Sequence, residues 1–171
     1  LRRQRQMCIR DREKSAAIAL LDLGCDVIAQ HQDTAQPQIA AEERGVWGCG
    51  YNSDMTAEAP KAHLTATVWN WGVYYTQAVK QVIDGTWTPT NYFDGMKEGL
   101  VDISPLSANC ADGTKEAIEK ARASIVDGTL KVFAGPLKDN TGKEQVKSGD
   151  YLKDDYIAGK LNWYVDNVEA K

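Results

Sequence analysis

The sequence predicts an α/β domain built on a parallel sheet flanked by helices. Two observations carry that expectation. Helix-spaced and strand-like segments alternate from Glu13 to Asp54, and each strand-like segment runs into a polar cluster. With 171 residues, 43% of them hydrophobic, the chain can also bury a sizeable core.

From Glu13, the residues Ala16, Ala17, Leu20 and Leu21 fall at helical spacing, and Gly24 stands where a helix would close. Cys25 to Ala29 reads as a short strand, followed by the polar run Gln30-His31-Gln32-Asp33-Thr34. A second helix is expected from about Gln36 to Arg44, stopped by Gly45. Val46 to Tyr51 is a second strand, ending in Asn52-Ser53-Asp54. His63 to Asn70 alternates and is rich in β-branched and aromatic residues, which marks a third strand. Gly72 to Asp84 places Val73, Tyr74, Ala78, Val79, Val82 and Ile83 at helical spacing before Gly85. After a turn-rich connection, Gly99 to Leu106 is strand-like, and a helix is expected from about Asp112 to Val126. The tail suggests strands at 129–134 and 145–147 around a turn at 139–142, then a short helix near 153–159.

The first 12 residues differ from the rest. They hold five arginines against one aspartate, a net +4, with apolar residues that follow no period. Residues 1–12 therefore read either as a basic arm or as non-native or disordered sequence, and their mismatch with the rest of the chain favours the second. Residues 13–171 carry 15 basic against 23 acidic groups, a net −8. An acidic body argues against a phosphate-neutralising nucleic-acid binder and against an anionic membrane surface as the main partner. No apolar run reaches 18 residues, and charges at Arg10 to Glu13 interrupt any signal-peptide core.

Motifs for chemistry are sparse. Cys8, Cys25, Cys49 and Cys110 form no CxxC pair and no metal-spaced cluster with the two histidines, so neither a metal nor a cofactor is expected. Cys25 and Cys49, each beside an apolar run, read as small buried hydrophobes. There is no nucleophile elbow, no phosphate loop and no zinc-protease helix, and Gly48-Cys49-Gly50 is a lone G-x-G. Parallel α/β sheets bind ligands beyond the carboxyl ends of their strands. That rule selects Gln30–Thr34, Asn52–Asp54 and Trp69–Trp71. Asp33, Asn52 and Asp54 could bond a hydroxyl or amine, while Trp69 and Trp71 could stack on a flat ring. Each also has a local reading: Asp33 in an Asx turn, Asp54 as a cap, Trp71 as a core anchor. His31 and His63 stand 32 positions apart with no recognisable nucleophile, which reads as two separate surface or hydrogen-bonded side chains.

Gly24 to His31, Ala40 to Gly45, Gly50 to Met55, Leu64 to Gly72 and Phe133 to Leu137, in that order, resemble the basic membrane protein family of ABC transporter substrate-binding lipoproteins, similar to the purine nucleoside receptor. The resemblance runs from about Glu13 to Ala170. It implies a type I periplasmic binding-protein-like fold of two α/β lobes, present here incompletely as the second lobe plus crossover elements. On that layout 13–62 and 95–171 belong to the second lobe and 63–94 return to the first. It further implies a non-enzymatic solute-binding component of an ABC importer, holding a purine nucleoside or nucleobase between the lobes. The implied partner is a transporter permease, and the implied location is periplasmic or a cell-surface lipoprotein anchored through a segment outside this chain. The family's G-V-D-x-D loop falls on Gly50 to Asp54, with its ribose-binding aspartate at Asn52, and a family lysine falls on Trp69. An amide in place of that charge, and an indole in place of the ammonium, point toward a bare nucleobase or another flat heterocycle. The expected binding set is Gln30, His31, Asn52, Asp54, Trp69 and Trp71. An α/β enzyme acting on a nucleoside or sugar, with Asp33 or Asp54 as base, and a ligand-sensing regulatory domain of the same fold are the alternatives.

Overall fold

The computed structural model describes residues 2–169, with side chains described from Ile9 onward. The chain forms two compact units, residues 1–117 and 118–171. In the first unit the order is α1 (Arg2–Asp22), β1 (Val27–Ala29), α2 (Gln36–Glu43), β2 (Trp47–Asn52), β3 (His63–Trp69), α3 (Gly72–Ile83) and β4 (Val101–Ile103). The sheet order is β1-β2-β3-β4. β1, β2 and β3 run parallel, whereas β4 lies antiparallel to β3, with Val68 opposite Asp102. The parallel sheet expected from the sequence is present, mostly parallel with one antiparallel strand at β4.

Two expectations on this unit change. α1 starts at Arg2 instead of Glu13, and the arginines, glutamines and methionine of residues 2–7 all favour helix. Cys25 is exposed and Cys49 half-buried, so neither is a core residue. The core lies between α1, α2 and the sheet: Ala17, Leu21, Ile28, Ala40, Ala41, Ala59 and Ala62 form one buried cluster. Its small residues let α2 approach β2 closely. Gly48 has no room for a side chain, since a Cβ there would sit 2.1 Å from Gln38 Oε1. The lone G-x-G of the sequence is therefore a packing device, with Gly50 similarly crowded by Met55, Ala66 and His63.

Gln38 is fully buried and ties the strand ends together. Its Nε2 donates to Gln30 Oε1 (3.0 Å) and to the Cys49 carbonyl (3.0 Å). α2 stops at Gly45, whose φ of +68° suits glycine, with Gly45 N–H bonded to Glu42 O and Val46 N–H to Ala41 O. α3 follows β3 almost at once and buries no residue fully. Tyr75, Val79, Val82 and Ile83, spaced along one helical face, are 58, 59, 62 and 78% exposed.

In the second unit, β5 (Leu137–Lys138) and β6 (Glu144–Val146) form an antiparallel hairpin, followed by α5 (Asp154–Gly159). α4 (Thr114–Val126) leads into it. Residues 129–134 are not a strand, contrary to their alternation: the segment pairs only at Ala134, with Tyr151. The hairpin turn is organised by buried Asp139, whose Oδ1 accepts from Thr141 N (2.9 Å), Thr141 Oγ1 (2.6 Å) and Lys143 N (3.1 Å). Gln145 Nε2 donates to its Oδ2 at 2.6 Å, and these bonds hold the carboxyl at about 2.

Candidate functional site

Because β1, β2 and β3 run parallel, their carboxyl ends open on one edge of the sheet. Three of the polar groups expected from the sequence meet there. Asn52, the last residue of β2, has φ +65°, a left-handed conformation that asparagine tolerates better than most side chains. Its Nδ2 donates to Asp33 Oδ1 at 2.9 Å, and its Oδ1 accepts from Trp69 Nε1 at 2.8 Å. One amide thus links the loop after β1 to the end of β3.

The indole of Trp69 begins an aromatic row. Its ring centroid lies 5.8 Å from that of Trp71 with 24° between planes, and Trp71 lies 6.2 Å from Tyr75 at 28°. Such offset stacks leave ring faces available while fixing their orientation. All three rings are exposed, Trp69 at 39% and Trp71 at 44%, so Trp71 is not the core anchor of the alternative reading. Tyr75 is absent from the expected binding set. Its signal is its place one helical turn after Trp71 on α3.

The remaining expected residues stand apart from this chain of bonds. Gln30 is buried, with Nε2 donating to the carbonyls of Gln32 (2.9 Å) and Thr34 (2.8 Å) and Oε1 accepting from Gln38, so it shapes the loop. His31 packs edge-on against Tyr51, with centroids 4.3 Å apart. Asp54 caps the turn after β2: Oδ1 accepts from Thr56 N (2.9 Å) and Thr56 Oγ1 (2.6 Å). Those two bonds hold its carboxyl below the usual range, aided slightly by His63.

His63 differs from the sequence expectation. It is fully buried, and neither ring nitrogen makes a hydrogen bond, although Nε2 lies 3.5 Å from Asp54 Oδ1. Burial pushes its pKa below the usual histidine value, with Asp54 and Glu58 acting in the opposite direction. A buried neutral imidazole fills space against Gly50. Among the described residues no group of three or more His, Cys, Asp or Glu could hold a metal ion, and no helix is long and apolar enough to cross a membrane. The second unit holds a separate cleft of about 550 Å³, lined by Leu130, Phe133, Tyr151, Leu152 and Ile157. None of the expected binding residues lines it.

The chain as a whole is similar to known proteins. The chain is 42% identical over 160 residues to a purine-binding protein of Brucella abortus, covering 94% of this chain and 45% of that protein. It is 27% identical over 158 residues to a Haloferax volcanii protein provisionally named an ABC transporter glucose-binding protein, covering 92% of this chain and 38% of that one. The chain therefore spans less than half the length of either relative. A solute-binding protein of an ABC transporter system from Conexibacter woesei superposes with a TM-score of 0.58 at 18% identity, over 72% of this chain and 42% of its own, and shows the shared α/β fold. Both relatives are named as binding proteins and neither as an enzyme. Residues 10–134 match the family described as ABC transporter substrate-binding protein PnrA-like, and the chain belongs to that family.

Proposed function

We propose that this protein is the ligand-binding component of an ABC importer and holds a purine nucleobase or nucleoside at the carboxyl edge of β1, β2 and β3. The observation that carries the reading is the 42% identity to a purine-binding protein across nearly the whole chain. The geometry agrees with it. Exposed Trp69 and Trp71 offer stacking surface beside the Asp33–Asn52 polar pair, with Gln30, His31 and Asp54 on the loops that frame them. Stacking accepts any flat ring, and the polar pair adds orientation.

On this reading the protein performs no chemistry. It works outside the cytoplasm, in the periplasm or as a surface lipoprotein, and delivers its ligand to a transporter permease. Closure of two lobes over the ligand supplies the signal, since a ligand that touches both lobes favours the closed state by its differential affinity.

The test is calorimetric titration of the protein expressed from its complete reading frame, with adenine, guanine, adenosine, guanosine and glucose. Purines are expected to bind and glucose not to. Trp69→Ala and Trp71→Ala should each weaken binding by about 5- to 150-fold, the equivalent of ~1–3 kcal/mol of stacking. Glucose binding with no response to purines refutes the ligand class. Unchanged purine affinity in both tryptophan variants refutes the site.

A further inference from the structure

Asn52 is the residue that the family pattern puts forward as a ligand contact, yet both ends of its amide already face protein groups. Nδ2 points to Asp33 Oδ1 at 2.9 Å and Oδ1 receives Trp69 Nε1–H at 2.8 Å. An amide bonded at both ends fixes the spacing and the tilt of what it joins. What it joins is an exposed carboxylate on one side and the first ring of a stacked aromatic row on the other.

Asp33 is well suited to a direct role. A carboxylate only accepts, and each oxygen keeps lone pairs beyond the one Asn52 occupies. Its hydrogen bonds with a donor are strengthened by charge. The backbone explains the choice of residue between them. At φ +65° the side chains that fit easily are asparagine, aspartate and glycine, and only asparagine offers a donor and an acceptor together.

We propose that Asn52 is a positioning residue and not a ligand contact, and that it holds Asp33 beside the Trp69–Trp71–Tyr75 row so that Asp33 accepts from the edge of a stacked ligand. The inference rests on the purine-binding reading. It narrows the ligand to a flat ring that carries N–H donors on its edge. Charge at position 52 is not needed, because position 33 supplies it.

The experiment uses the complete protein with adenine and guanine as probes, and reads the indole N–H resonance of Trp69 separately from affinity. Asn52→Gly keeps the backbone conformation and removes the link. It should shift the Trp69 resonance in ligand-free protein and weaken binding about three- to tenfold. Asp33→Asn leaves an acceptor for Asn52 but no charge, so the resonance should stay while affinity falls tenfold or more. Asn52→Asp sets two carboxylates face to face and should disturb both readouts. The swapped pair Asn52→Asp with Asp33→Asn restores a donor and an acceptor, so the Trp69 resonance should return toward its original position. Full affinity in Asp33→Asn overturns the acceptor role, and an unmoved resonance in Asn52→Gly overturns the link. If the unaltered protein binds no purine, the functional reading and the acceptor role fall together, while the resonance still decides the role of Asn52.

Discussion

Replacing Gly48 by alanine should destabilise the protein by about 2–4 kcal/mol, although it adds a single methyl group. That methyl would fall 2.1 Å from Gln38 Oε1, 2.8 Å from its Cδ and 3.1 Å from its Nε2. A flexible end group could usually swing aside, but Gln38 has no solvent to swing into, being fully buried between α2 and β2. Either the amide turns and gives up its bonds to Gln30 Oε1 and Cys49 O, or α2 lifts off the sheet. Overpacking a filled core costs about 1–3 kcal/mol, and stranding a buried polar group costs a similar ~1–3 kcal/mol, with part of each shared. Urea unfolding of the complete protein, followed by far-UV circular dichroism, measures the midpoint. Gln38→Ala removes the obstacle, so the double variant Gly48→Ala with Gln38→Ala should be less damaged than the two single effects added, by about 1–2 kcal/mol. A Gly48→Ala protein within about 0.5 kcal/mol of the original would refute the packing argument.

Three further outcomes rest on the same geometry. Folding holds His63 neutral by burial, so the unfolded chain binds more protons between the lowered folded pKa and its ordinary value near 6.5. Stability should therefore decline as pH falls from about 7.5 to 5.5, and His63→Gln should flatten that slope in thermal melts. Burial raises the Cys49 thiol pKa, whereas Cys25 is exposed, so iodoacetamide at pH 8 should label Cys25 well before Cys49 by peptide mass spectrometry. Asp139 is held at about 2 by its hairpin bonds, so its contribution is present above about pH 4 and is lost as pH falls toward 2. Asp139→Ala should remove that acid-sensitive step and speed amide exchange at Thr141 and Lys143.

Much of the sheet edge was legible because the signals are local. α2, β2, β3 and α3 follow from their periodicity and from Gly45 and Gly85, and the carboxyl-edge rule then points to Asn52, Trp69 and Trp71. Other features depend on partners distant in sequence. Residues 129–134 alternate like a strand, but a strand exists only where another chain segment completes its ladder, and here only Ala134 meets one. The antiparallel seat of β4 beside β3 has the same origin. α1 extends ahead of Glu13 through arginine, glutamine and methionine, whose helical propensity leaves no apolar spacing in the sequence. His63 escaped because a lone histidine carries no pattern. Its burial is visible only in the fold, where the ring packs against Gly50.

The outward apolar face of α3 bears on how this polypeptide behaves in a tube. Tyr75, Val79, Val82 and Ile83 present oily surface that monomeric proteins usually keep small, and such surface favours self-association as concentration rises. Because these four side chains contribute little to the described core, exchanging Val79 for lysine and Ile83 for glutamate offers a route to a more soluble preparation at small cost in folding.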